Sequence, residues 1–487
     1  MKKIILFIFF LAFLIRLIAL DQSLWLDEAT TARVVQQYSF TQIITRFSPH
    51  DFHPPLYYLF MKVWTTAFGY TEVSLRMPSV IFSLLTGYII YFTGKKIDSG
   101  RASLARMTKD RVGLWAAAFF LFNPLIVYYS QEARMYMMAT FFLTAALHFL
   151  YENISHSGAT KRSDRIYLKD PIGRFKNHHF LQDDLNKSRN KFGMKEIILF
   201  NISISVSFLI FYGSIFLIIP MLLFMLHKKH YRAFFASFVI FNLALLAISP
   251  LLYKQLNNAK EQLHIVANWT QVLGKANLKN LLLIPLKFSI GRISFYPKWF
   301  YWLVSGIWTV FIWYLIIKNG IKNKILILLV IGSLGLGILF SFFTPLLQYF
   351  RFLYLIPIIS LLLASDIDIS IYRYIIMLGF LIFSLIYLIN PNYRREDWKS
   401  LTQSLPRSSQ VYMIPSSSDP ISYYRKDVKI KDLNLLNKST LAKEIIIIPY
   451  TSDIYGLNYE AILKAKKFSI DRKQVFRGLS LEVWKKN

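Results

Sequence analysis

The 487-residue chain contains no cysteine, which excludes disulfides and any thiolate-ligated metal. Acid is scarce too: 27 Asp and Glu stand against 57 Lys and Arg, a formal net charge of +30. No nucleotide-binding loop, zinc-ligand spacing or strong internal repeat is present. A small-residue cleavage site is also lacking after Met1–Leu20, where Lys2 and Lys3 precede an apolar run. That stretch is therefore expected to be a retained first helix rather than a removed signal. The basic excess does not point to nucleic acid. Its Lys and Arg sit mostly in short loops between apolar runs, the pattern that orients helices toward an inner leaflet.

What the chain has in abundance is apolar surface: 55% hydrophobic and 17% aromatic residues, with a mean hydropathy of +0.40. Many runs of about 20 apolar residues predict a helical, polytopic membrane protein. The spans are expected at Ile4–Leu20, Ser74–Thr93, Val112–Tyr129 and Met135–Tyr151. Two short helices follow within Ile197–Leu226, broken near Tyr212 and Gly213. The rest are Ala233–Pro250, Trp299–Ile317, Ile325–Phe343, a helix ending near Leu363, and Tyr372–Asn390. Counted this way, about 11 transmembrane helices make up residues 1–390, with a cytoplasmic N-terminus. Arg101, Arg106 and Lys109 mark an inner loop. The hydrophilic insert 152–195 falls inside and reads as mobile, and 251–298 is a long outer loop with some helical character. Residues 391–487 differ in kind. VYMIP, EIIIIPY and LSLEVW read as strands with helical stretches between, a small extracytoplasmic α/β domain.

Against this background the loop 21–73 stands out. Its segment WLDEATTARVVQQYSFTQIITRFSPHDFHPPLYY places Asp27, Glu28, Asp51 and His53 beside the first helix, where acids are costly unless used. Asp27 and Glu28 suit a general base and its neighbour, and equally suit a helix N-terminus. His53 before two prolines suits a ligand or proton carrier, or simply an interfacial turn. In Ser130–Tyr136, Glu132 and Tyr136 would share a face if the stretch were helical; a solvated Glu132–Arg134 loop is the plainer reading. Arg76 and Arg351 lie at outer ends of apolar segments, where snorkelling to headgroups is common. Helix counting places all these residues on one side of the membrane, opposite the basic loops.

The order W-L-D-E-A, H-P-P-L-Y-Y, R-x-P-S, then Y-S-Q-E-A-R-x-Y at Tyr129–Tyr136 resembles the GT-C glycosyltransferases of the protein O-mannosyltransferase type. Their bacterial relatives include the lipid A aminoarabinose transferases. Q-Y-F-R-x-x-Y-L-I-P at Gln348–Pro357 and N-Y-R-R-E-D-W at Asn392–Trp398 resemble further motifs of that group. The insert 152–195 shows no likeness. The resemblance implies transfer of a sugar, with inversion, from a polyprenyl-monophosphate donor to a hydroxyl on a lipid, glycan or protein at the outer face of the cell membrane. It makes Asp27 the base, with Glu28 beside it. Arg76, Arg134 and Arg351 would face the departing phosphate. His53, Tyr57, Glu132, Tyr136 and Gln348 would line the substrates. A divalent metal, zinc or magnesium, is compatible with Glu28, His53 and Glu132, though nothing in the sequence demands one. The competing readings are a transporter, which predicts internal repeats and broken mid-membrane helices, and a lipid-linked glycan polymerase or ligase.

Overall fold

The computed structural model describes residues 2–99, 111–163, 179–365, 370–438 and 440–487. Arg101, Arg106 and Lys109 of the expected inner loop, and 164–178 of the insert, lie outside them. Helices α1 (Lys2–Leu17), α2 (Leu26–Gln37), α3 (Leu56–Phe68) and α4 (Glu72–Ser99) open the chain. Then come α5 (Arg111–Leu121), α6 (Pro124–Ser130), α7 (Tyr136–Ser163), α8 (His179–Ile210) and α9 (Ile215–His227). Helices α10 (Tyr231–Ile265), α11 (Leu278–Ile290), α12 (Lys298–Lys322), α13 (Lys324–Ser341), α14 (Ile356–Ala364) and α15 (Ser370–Ile389) complete the bundle.

Among the described residues five helices, α4, α10, α12, α13 and α15, are long and apolar enough to cross a membrane, and the bent α5–α6 pair makes six. Tyr212–His227 and Tyr349–Ala364 are apolar but shorter. By length and composition the count therefore stops short of eleven. The break expected near Tyr212 is present, between α8 and α9.

Three sequence expectations need correction. Helix α10 does not stop at Pro250 but continues to Ile265, because its polar extension has work to do. Gln255 Nε2 donates to the carbonyls of Ser48 at 2.7 Å and His53 at 2.9 Å. The insert is helical in its described flanks, with α7 reaching Ser163 and α8 starting at His179. Gln131–Met135 forms a turn, not a helix, so Glu132 and Tyr136 are not partners on one helical face.

The α5–α6 bend of 59° has a local cause. Pro124 cannot donate back into the preceding turn. Asn123 instead starts a new helix, its side chain accepting from the N–H of Leu125 at 2.9 Å and donating to Phe288 O at 2.9 Å. On the other side, buried Arg16 of α1 donates to Leu121 O at 2.8 Å and to Ser83 Oγ at 2.9 Å. The freed carbonyl at the bend is thereby satisfied.

The C-terminal sheet comprises β1 (Gln410–Met413), β2 (Lys429–Asp432), β3 (Glu444–Ile447), β4 (Phe468–Phe476) and β5 (Leu479–Lys486), in the order β2-β1-β3-β5-β4. β1 pairs in parallel with β2 and β3, while β5 runs antiparallel to β3 and β4. Both faces are covered. Val411, Met413 and Val483 join one core with Trp398, and Tyr412, Ile445 and Trp484 join another with Leu463, as the two-residue alternation of strands requires. Three strands were legible as apolar runs. β2 and β4, KIKD and FSIDRKQVF, carry too much charge to stand out.

Candidate active site

The floor of the site is a buried ion pair. Glu28 and Arg76 are each 1% exposed. Arg76 Nε and Nη2 donate to the two Glu28 oxygens at 2.8 and 2.6 Å. Its remaining N–H groups go to the carbonyls of Leu20, Gln22 and Ser23. Glu28 also accepts from Ala133 N at 2.7 Å and reaches back to Trp25 N at 3.4 Å, so it provides the cap of α2. All five donors of Arg76 and both oxygens of Glu28 are engaged. In this arrangement Arg76 has no further N–H to offer a phosphate, and Glu28 sits as the neighbour of Asp27 with both oxygens occupied. Together they pin α2, α4 and the turn 131–135 to one another.

Asp27, one residue earlier, points the other way. Its carboxylate is 39% exposed, and its salt-bridge partner is Arg134 Nη2 at 3.5 Å. Arg134 is buried, and its Nε has no hydrogen-bond partner among the described residues. Burial acts against its charge, but Asp27 and more distant Asp51 outweigh that and hold it well above the usual arginine value. Asp51 lies across from His53, 3.4 Å from Nδ1. Burial acts to raise the Asp51 carboxyl, yet His53 and Arg134 outweigh it and keep it below the usual carboxylate range. Tyr57 packs edge-on against Tyr58, centroids 5.5 Å apart. Among the described residues its buried hydroxyl has no hydrogen-bond partner, nor do Asp51 Oδ2, Tyr129 OH and Glu132 Oε2.

Glu132 leads to a residue that the sequence reading left out of the site. Its Oε1 accepts from Arg395 Nε at 3.0 Å. Arg395 lies over the Trp25 ring, with Cζ 3.7 Å from the centroid, and 5.7 Å from the Tyr128 ring. Arg292 approaches the same Tyr128 ring to 4.6 Å and donates to its hydroxyl. Burial opposes the charge of Arg395, but Tyr128 and Glu132 hold it well above the usual arginine value. The only sequence signal for Arg395 was its place in N-Y-R-R-E-D-W. Arg292 carried none.

Tyr136 stacks edge-on with Tyr129 at 5.5 Å and with Phe350 at 5.5 Å, which brings the segment of Arg351 alongside. Arg351 makes a single long bond to Pro345 O at 3.5 Å. Gln348 falls outside this set, donating to Val272 O at 3.0 Å and so tying the loop 251–298 to the turn before α14. Glu28, His53 and Glu132 do not converge on a metal position. Glu28 is closed by Arg76, and no three His, Asp or Glu form such a group among the described residues. The site is therefore a tyrosine-rich cluster of charged groups in which Asp27 is the most exposed carboxylate and Arg134 is buried. It suits recognition of an anion together with a polar, uncharged group.

No family model matches the chain, and no curated protein matches it. Among solved structures, ArnT from Cupriavidus metallidurans in the apo state aligns over 99% of this chain and 98% of its own, with a TM-score of 0.56 at 10% identity. ArnT from the same organism bound to undecaprenyl phosphate aligns over 99% and 97%, with a TM-score of 0.52 at 10% identity. At that identity the likeness is one of fold: the chain shares the overall fold of these structures.

Proposed function

We propose that this protein is a membrane glycosyltransferase that moves a sugar from a polyprenyl-monophosphate donor to a hydroxyl, with inversion, at the outer face. The observation that carries the reading is the set of buried, unpartnered polar atoms around Asp27: Asp51 Oδ2, Tyr57 OH, Tyr129 OH, Glu132 Oε2 and Arg134 Nε. Buried polar groups without partners cost about 1–3 kcal/mol each, so their occurrence on residues that interact with Arg134 and Glu132 fits a bound polar ligand such as a sugar phosphate. Support also comes from the fold, shared with a protein solved with undecaprenyl phosphate bound.

In this reading Asp27 takes the proton of the acceptor hydroxyl as that oxygen attacks the anomeric carbon from the face opposite the phosphate. The bond from carbon to phosphate oxygen breaks, and the lipid phosphate departs with its electron pair. Arg134 and Arg351, unlike Arg76, have donors to spare for the charge developing there. Glu132 and the tyrosines Tyr57, Tyr129 and Tyr136 would hold the sugar. Glu28 positions Asp27 through α2. Counting α1, α7, α8 and the two shorter apolar stretches with the six longer candidates, the chain would cross the membrane eleven times. Residues 1–390 would form the transferase body, with 391–487 an external domain covering its mouth.

The test is to compare cell-envelope glycans by mass spectrometry with and without the gene, then supply the purified protein with polyprenyl-phosphate sugars. A missing glycan restored in vitro, with inverted configuration at the anomeric carbon, is the expected result. Unchanged glycans and no turnover of any lipid-phosphate sugar would remove the proposal. Arg351→Ala should lower donor use by about tenfold or more, since one charge-assisted contact is worth about 1.5–3 kcal/mol; activity equal to wild type would take Arg351 out of the site.

A further inference from the structure

A hollow of about 620 Å³ lies where α12 begins and α15 ends. Its lining includes Arg292, Lys298 and Arg394, with Ser294, Asn390 and Asn392, and no carboxylate. Among the described residues the three cations hold only neutral hydrogen-bond partners. Arg292 donates to the Tyr128 hydroxyl, Lys298 to Ser294 Oγ at 2.6 Å, and Arg394 to Leu388 O at 3.1 Å. Three like charges around one hollow repel each other without a counter-charge. The strain reaches Lys287 nearby, whose pKa is lowered to about 8 by burial and then by Arg292 and Lys298.

The position says what kind of anion. Residues 292–298 lead into one candidate span and 390–394 leave another, so the hollow sits at the membrane surface if those helices cross. Around it Tyr296 and Trp299 are 82% and 68% exposed, and Phe300 lies beside them, the composition of an interfacial aromatic belt. Two arginine forks beside an ammonium and several neutral donors match a phosphate's oxygens better than a single carboxylate.

We propose that this hollow binds the phosphate of an anionic lipid headgroup. The site would stand whether or not the protein transfers sugar. Its polar link to the first site is Arg292, through Tyr128, so an occupied headgroup site would fix the tyrosine wall on which Arg395 rests.

The full-length protein in detergent micelles is the material, and short-chain phosphatidylglycerol, phosphatidylcholine and inorganic phosphate are the probes. Native mass spectrometry and thermal shift are the readouts. The expected result is that phosphatidylglycerol binds and stabilises, phosphatidylcholine does less, and Lys298→Gln/Arg394→Gln weakens the phosphatidylglycerol effect by about tenfold, as loss of one to two charge-assisted contacts implies. If that double variant misfolds, Lys298→Gln alone, at an exposed position, carries the same comparison with a smaller loss. Equal phosphatidylglycerol binding by wild type and folded variants would overturn the proposal. Stabilisation by inorganic phosphate matching that by phosphatidylglycerol would overturn the lipid assignment.

Discussion

At the scale of residues, adjacent carboxylates have opposite fates. Glu28 and Asp27 stood together in the sequence as base and neighbour, and nothing local separates them. What separates them is Arg76, 48 residues away, which fills both oxygens of one and leaves the other to the solvent-facing mouth. Glu28→Gln breaks a buried pair, so it should cost about 3–5 kcal/mol, read as a large fall in thermal stability. Loss of activity in that variant without loss of stability would contradict the structural role. Arg395 makes the complementary point. Its motif was visible, but its place over Trp25 and against Glu132 depends on contacts bridging more than half the chain. Arg395→Ala leaves the buried Glu132 carboxylate unpaired, a penalty of about 1–3 kcal/mol or more. Sugar transfer should fall while the sheet and its cores persist. Unchanged kinetics would place Arg395 outside the site.

Elements were easier to find than their ends. Apolar runs marked almost every helix, because burial in lipid or core leaves that trace in composition. Boundaries depended on partners the sequence does not show. α10 passes Pro250 because Gln255 reaches the loop carbonyls of Ser48 and His53. The α5–α6 bend was invisible within one apolar run, since its cause is shared between Pro124, the Asn123 cap and a buried arginine from α1. Asn123→Ala should destabilise the bend by about 0.5–2 kcal/mol from the lost cap alone, more with the bond to Phe288. The measurement is the unfolding temperature of the purified protein, and a variant as stable as wild type would mean the bend is set by Pro124 alone.

For the molecule as a whole, the seam between bundle and C-terminal sheet is polar and specific. Arg33 pairs with Asp419. Lys399 pairs with Glu72 at 3.1 Å, and the Tyr424 hydroxyl accepts from Leu24 N at 2.9 Å, immediately before Trp25. That seam puts residues 391–487 on the side of the site, hence outside if the N-terminus is inside. The lack of cysteine makes the orientation directly testable. An impermeant thiol reagent applied to intact cells should label Arg407→Cys, on the exposed face of the C-terminal region, and not Lys228→Cys, in the basic loop between α9 and α10. The reverse pattern would invert the topology. The central claim, though, is that Asp27 accepts the proton in sugar transfer, and its most direct test is the turnover of Asp27→Asn on a polyprenyl-phosphate sugar under conditions limited by chemistry. Glu28, not Asp27, caps α2, so the variant should fold with at most a modest loss of thermal stability from the long Arg134 pair at 3.5 Å, while turnover falls by about 10²–10⁴-fold, the usual worth of general-base assistance. A folded Asp27→Asn protein with near-normal turnover would contradict it.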